Sequence, residues 1–229
     1  MDNHPQLTEE EVDYIYGVIK YYAEKFGRPR PNPDKDIEKI VTNDPIAPIS
    51  YRNLSDLDRI VLIEGAIKQD IKDNDFFGAL FRLDKPYGLS AFENVFDYIP
   101  DQYKYETFRD VYMAGEYGFQ DIPESIITKV FELAPRDFKD KLNGKIDKDG
   151  YLVVYRGEGS KSAPVVKAYS WTLSKKQAKW FALRFDNEGN VYKARIHIDK
   201  VIDYIEDREE EEILVRGEDV EILEKIKVN

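Results

Sequence analysis

The stretch Glu206 to Val215 reads Glu-Asp-Arg-Glu-Glu-Glu-Glu-Ile-Leu-Val, a row of carboxylates running straight into an apolar, strand-like triplet. Carboxylates held in place can stabilise positive charge developing on a reacting carbon, and a second one can align a weak nucleophile. In an extended chain alternate side chains share a face, so pairing that begins here puts Glu210 and Glu212 on one side and Glu209 and Glu211 on the other. An acidic run by itself is usually a solvated loop. Two upstream pieces change that balance. Tyr155-Arg156-Gly157 closes an apolar run ahead of a Gly/Ser-rich loop, Gly157 to Ala163, and Tyr169-Ser170-Trp171-Thr172 leads into a helix. An arginine beside a glycine-rich loop suits an anionic diphosphate through forked hydrogen bonds, although a surface ion pair is the plainer reading. Ser170 is either a turn residue or a hydroxyl that orients a carboxylate brought from another strand. No histidine stands near enough in pattern to make it a nucleophile.

The elements that must position these residues follow from the periodicity. Asp149-Gly150 signals a turn, and Tyr151 to Tyr155 is aromatic and β-branched enough for a buried, central strand, with Arg156 and Gly157 where it runs out. A short strand is expected over Lys167 to Thr172. Ser174 and Gln177 then form a capping box for a helix burying Ala178, Phe181, Ala182 and Phe185. Tyr192, Ala194, Ile196 and Ile198 alternate with Lys193, Arg195 and His197 as in a half-buried strand, and two more strands are expected at Glu211 to Val215 and Val220 to Lys227. His197 reads as an exposed residue without a role.

The first hundred residues read as helical. Thr8 and Glu11 form a capping box, and Val12, Ile15, Tyr16, Ile19, Ala23 and Phe26 make a helical stripe ending near Gly27. Residues 28 to 50 carry Pro29, Pro31, Pro33, Pro45 and Pro48 and read as irregular, with a short helix at most around Asp36 to Val41. Ser55 and Asp58 open another amphipathic segment through Leu57, Ile60, Val61, Ile67 and Ile71. Further helical patches lie around Phe76 to Leu83, Ala91 to Tyr98, Tyr105 to Ala114 and Ile122 to Leu133. The aromatics among them, including Tyr14, Tyr21, Tyr22, Phe76, Phe77, Phe81, Tyr103 and Tyr105, read as packing residues at helical spacing. A boundary near Pro100 divides a helical region, 1–100, from a mixed α+β region, 101–229.

Composition narrows the chemistry. A formal charge of -11 argues against sequence-independent affinity for nucleic acid, which needs a basic footprint, and favours a small ligand or a basic protein partner. With no cysteine and only two histidines, His4 and His197, neither a disulfide framework nor a zinc site is expected. No secretory signal and no membrane-spanning run are evident, so a cytoplasmic location is the expectation.

Aromatic-Arg-Gly at a strand end, Ser-Trp-Thr leading into a helix with Ala-x-x-Phe-Ala, and Glu-x-Glu directly before Ile-Leu-Val resemble the three signature motifs of the arginine-serine-glutamate class of ADP-ribosyltransferases. The resemblance covers roughly residues 145 to 229, with the helices from about 100 possible members of the same domain, and it does not reach the first hundred residues. It implies an ADP-ribosyltransferase-like split β-sheet domain with NAD as co-substrate. It further implies that Arg156 holds the NAD phosphates, that the backbone of Gly157 lies against the nicotinamide amide and that Ser170 fixes the catalytic glutamate. Glu212 then matches that glutamate, and Glu210 the upstream one that aligns an acceptor guanidinium.

The central motif here is Ser-Trp-Thr where many members carry Ser-Thr-Ser, and the interval from Arg156 to Ser170 is short for the family. The four consecutive glutamates leave the Glu209/Glu211 register open beside Glu210/Glu212. The expectation is therefore a helical N-terminal region that binds the target or restrains the enzyme, followed by a mono-ADP-ribosyltransferase acting on a protein, with arginine as acceptor. The acidic, cysteine-free character fits an effector of bacterial or phage type. Two alternatives are a non-enzymatic acidic binding or inhibitor protein on the same scaffold, and an NAD glycohydrolase with water as acceptor.

Overall fold

The structure is a computed structural model that describes residues 6–26, 56–81, 85–115, 119, 122–185, 187–206 and 210–229. The expected irregular stretch at 28–50, the capping position Ser55 and Glu209 lie outside these residues. The chain divides into two compact units, Met1–Leu133 and Ala134–Asn229.

In the first unit the described elements are helices: α1 Glu9–Phe26, α2 Asp56–Lys72, α3 Phe76–Phe81, α4 Lys85–Val95, α5 Asp101–Ala114 and α6 Glu124–Glu132. The expected capping box starts α1, with the Thr8 amide donating to Glu11 Oε2 at 2.8 Å and the Glu11 amide to Thr8 Oγ1 at 3.3 Å. Val12, Ile15 and Ile19 are buried on its inner stripe, as the spacing required. The unit closes after Leu133 and not at the boundary expected near Pro100. The reason is aromatic packing: Phe108 of α5 lies 5.9 Å from Phe92 of α4 and 6.2 Å from Phe131 of α6, ring centre to ring centre. Helices α5 and α6 thus share a core with the helices before them. The aromatics do not all pack inward as expected. Phe76 and Tyr105 are buried, but Tyr14, Tyr21 and Phe81 are about half exposed.

The second unit is built on a six-stranded antiparallel sheet of order β4-β5-β2-β1-β3-β6. Its strands are β1 Tyr151–Glu158, β2 Ser170–Thr172, β3 Gly189–His197, β4 Asp203–Ile205, β5 Glu212–Leu214 and β6 Glu221–Val228, and one helix, α7 Lys175–Leu183, follows β2. β1 is central, as its apolar run predicted. It also continues through Arg156, Gly157 and Glu158, so the arginine and glycine lie within the strand and not past its end. β4 was missed in sequence because Val201 to Ile205 are all buried and show no alternation.

One sheet face carries the main core: Leu152, Val154, Trp171, Ala194, Ile196, Tyr204 and Ile213, closed by Phe138 and Leu142 from the preceding turn of 3₁₀ helix. α7 covers part of the other face with Ala178 and Ala182 against Val191 and Tyr155. Ser174 caps it as expected, accepting from the Gln177 amide at 3.2 Å. The helix ends at Leu183, so Phe185 falls beyond its last turn and is 54% exposed instead of completing the buried stripe. No helix among the described residues is long and apolar enough to cross a membrane.

Candidate functional site

The three candidate motifs, dispersed over nearly sixty positions of the sequence, come together on neighbouring strands. β2 lies between β1 and β5, with Tyr155 opposite Thr172 and with Ser170, Trp171 and Thr172 opposite Leu214, Ile213 and Glu212. Residues directly opposite in an antiparallel pair share a face, and alternate residues return to it. Ser170, Thr172 and Glu212 therefore occupy one face, while Trp171 and Ile213 turn into the core on the other. Ser170 and Glu212 are diagonal neighbours, a placement from which a hydroxyl can orient a carboxylate.

Arg156 is half-buried at the junction of β1 and β2. Its Nη1 donates to the Ser170 carbonyl at 2.8 Å and its Nη2 to the Ala163 carbonyl at 3.3 Å. These bonds tie the guanidinium to the serine's own backbone and to the end of the glycine-rich loop. That loop is held further by the Gly159 amide, which donates to Ser162 Oγ at 3.0 Å. A guanidinium tied by two donors in this way is held in one orientation.

Gly157 has a packing reason for being glycine. A Cβ there would run into the Ala178 carbonyl and the Ala182 amide nitrogen, because β1 passes directly under α7. The resemblance assigns its backbone a ligand contact; the structure gives the missing side chain a separate cause in the approach of helix to strand.

The acidic run does not behave as one extended segment. β5 begins only at Glu212, and Glu211 takes a left-handed backbone with φ of 46°, a conformation a glutamate adopts at a cost. The two-residue alternation expected from Glu210 to Glu212 is therefore interrupted, and Glu210 precedes the strand. Thr172 sustains this bend. Its hydroxyl donates to the Glu210 carbonyl at 2.6 Å and accepts from the Ser174 amide at 3.0 Å, and the Leu173 amide donates to the Glu211 carbonyl at 3.1 Å.

The Glu211 side chain goes to Lys145, whose ammonium also lies 5.5 Å from the centre of the Tyr204 ring. The hydrogen bond to Glu211 raises the Lys145 pKa above its ordinary value, against the opposing effect of burial. A carboxylate committed to a lysine in this way is a structural anchor.

Thr172 and Lys145 are the two residues whose part the sequence reading did not assign. Thr172 stood inside a recognised motif without a role, and a threonine directly before a turn is a signal for side-chain to backbone bonding. Lys145 carried no such signal, being 66 positions from its partner. Among the described residues no group of histidine and carboxylate side chains could hold a metal ion. Comparison with protein-family models, with curated proteins and with solved structures returned no match.

Proposed function

We propose that the second unit is an NAD-dependent mono-ADP-ribosyltransferase that moves ADP-ribose to a protein side chain, arginine being the favoured acceptor, and releases nicotinamide. The supporting observation is that Arg156, Ser170 and Glu212 stand on three neighbouring strands: Ser170 and Glu212 share one face, and Arg156, rooted on the other face opposite Trp171, reaches the Ser170 carbonyl at the sheet's end. In this reading Arg156 binds the diphosphate, Ser170 orients Glu212, and Glu212 faces the positive charge that develops on the ribose as its bond to nicotinamide breaks. The bonding pair leaves with nicotinamide. The acceptor nitrogen then supplies the new bond and gives up a proton, for which a carboxylate is the available base.

A second reading, NAD hydrolysis with water as acceptor, is favoured by one feature. The left-handed Glu211 takes Glu210 out of the alternation that would align it beside Glu212 for holding a guanidinium.

Incubation with NAD labelled in its adenylate portion and a bacterial lysate separates the readings. Labelled protein bands with the wild type and none with Glu212→Ala support the transferase, and loss of the label in hydroxylamine points to arginine. Nicotinamide released without labelled protein supports hydrolysis. Neither product, together with no NAD binding by calorimetry, would overturn the proposal in favour of a binding protein on this scaffold.

A further inference from the structure

We infer that the outer face of α7 is a docking surface for an acidic segment of a partner protein. The helix buries Ala178 and Ala182 and turns Lys176, Lys179, Trp180, Leu183 and Arg184 outward at the i, i+3, i+4, i+7, i+8 spacing of a single stripe, lining a shallow surface depression. Two large aromatics stand in the open there, Trp180 at 52% and Phe185 at 54% exposure.

Cations hold these rings. The Arg184 guanidinium lies 5.4 Å from the Trp180 ring centre and 5.1 Å from that of Phe185, and Lys161 Nζ sits 5.0 Å over Phe185. Trp180 also meets Phe181 edge to face at 5.0 Å. Exposed aromatics fixed in this way lose little freedom when a partner covers them, the usual condition for a binding hot spot.

Charge complementarity identifies the occupant. In this unit Lys139, Lys141, Lys145, Lys200 and Lys227 each pair with a carboxylate, and the lysines outside α7 that make no ion pair among the described residues, such as Lys148, Lys167 and Lys193, stand singly on other elements. Lys175, Lys176 and Lys179 are exposed and make no ion pair among the described residues. This strip of unpaired positive charge with an apolar centre matches a segment that alternates carboxylates with apolar side chains. A nucleic acid strand fits less well. The stripe is about 13 Å long at the rise of an α-helix, so the phosphates of a longer strand run past it.

The inference stands independently of the activity proposed above. Titration of the full chain by tryptophan fluorescence tests it, with three probes: a short peptide alternating glutamate and leucine, its lysine-for-glutamate counterpart, and oligothymidylate. Anisotropy of labelled probe provides a second readout. The glutamate peptide is expected to change the Trp180 signal saturably, more weakly at high salt. Binding by Lys176→Glu/Lys179→Glu should be about tenfold weaker, equivalent to about 1.4 kcal/mol. Lys176→Gln/Lys179→Gln should fall between, and Glu212→Ala should bind like the wild type. In Trp180→Phe the fluorescence response disappears while the buried Trp171 still emits. Absence of binding by both readouts, equal binding of the lysine peptide, or tighter binding of oligothymidylate would each overturn the inference.

Discussion

Thr172→Val is the most informative single change for the candidate site, because it removes one oxygen and keeps the shape of the side chain. Thr172 is 5% exposed, and its hydroxyl bridges the Glu210 carbonyl and the Ser174 amide. Valine supplies neither bond. Each is worth about 0.5–1.5 kcal/mol, so the loss should be roughly 1–3 kcal/mol. For a unit of about a hundred residues this lowers Tm by roughly 5–15 °C if the unit melts on its own.

A second consequence is local. Without the bridge the left-handed Glu211 loses support, and with it the entry of Glu212 into β5. Nicotinamide release at a temperature where the variant is still folded should therefore drop by more than any loss of folded protein explains. Thr172→Ser keeps the oxygen and should retain both properties apart from the small cost of a deleted methyl. Scanning calorimetry and NAD turnover on the three proteins are the assay. Valine matching the wild type within about 1 °C while serine fell would refute the reasoning, since packing and not hydrogen bonding would then control the bend.

Gly157→Ala should be strongly destabilising, by about 1–3 kcal/mol or more, because strand and helix must separate to admit the methyl; urea unfolding with an unchanged m-value measures it. Glu211→Gln and Lys145→Met should leave NAD turnover intact while lowering stability modestly, whereas Glu212→Gln should abolish turnover with little change in Tm; the opposite pattern would move the chemistry to the other glutamate register. In the helical unit, hydrogen bonds from Lys104 and then Lys129 hold the Asp101 carboxyl below its ordinary pKa. A depressed carboxylate contributes stability above its unfolded pKa of about 3.9 and loses it as pH falls through the folded value. Asp101→Asn should therefore flatten the dependence of stability on pH below about 4 and leave the neutral range shifted by a constant amount, read from Tm against pH.

The sequence alone determined which segments are helix and which are strand, wherever one periodicity ran long enough to be read. The α1 stripe, the alternation of β3 and the apolar run of β1 each expose a single burial pattern, and the caps at Thr8 and Ser174 depend only on neighbours three residues away. The resemblance likewise rested on local strings. Tertiary structure decided what depends on partners distant in the chain. It set β2 between β1 and β5, joined α5 and α6 to the preceding helices through Phe92, Phe108 and Phe131, and buried β4 on both sides so that no alternation survived. It also separated the described glutamates of the run, Glu210, Glu211 and Glu212. Lys145 claims Glu211 from 66 residues away and Thr172 binds the carbonyl of Glu210, and neither bond leaves a trace in the acidic run itself. Identical side chains in a row carry no local difference, so only the groups packed against them could assign them different parts.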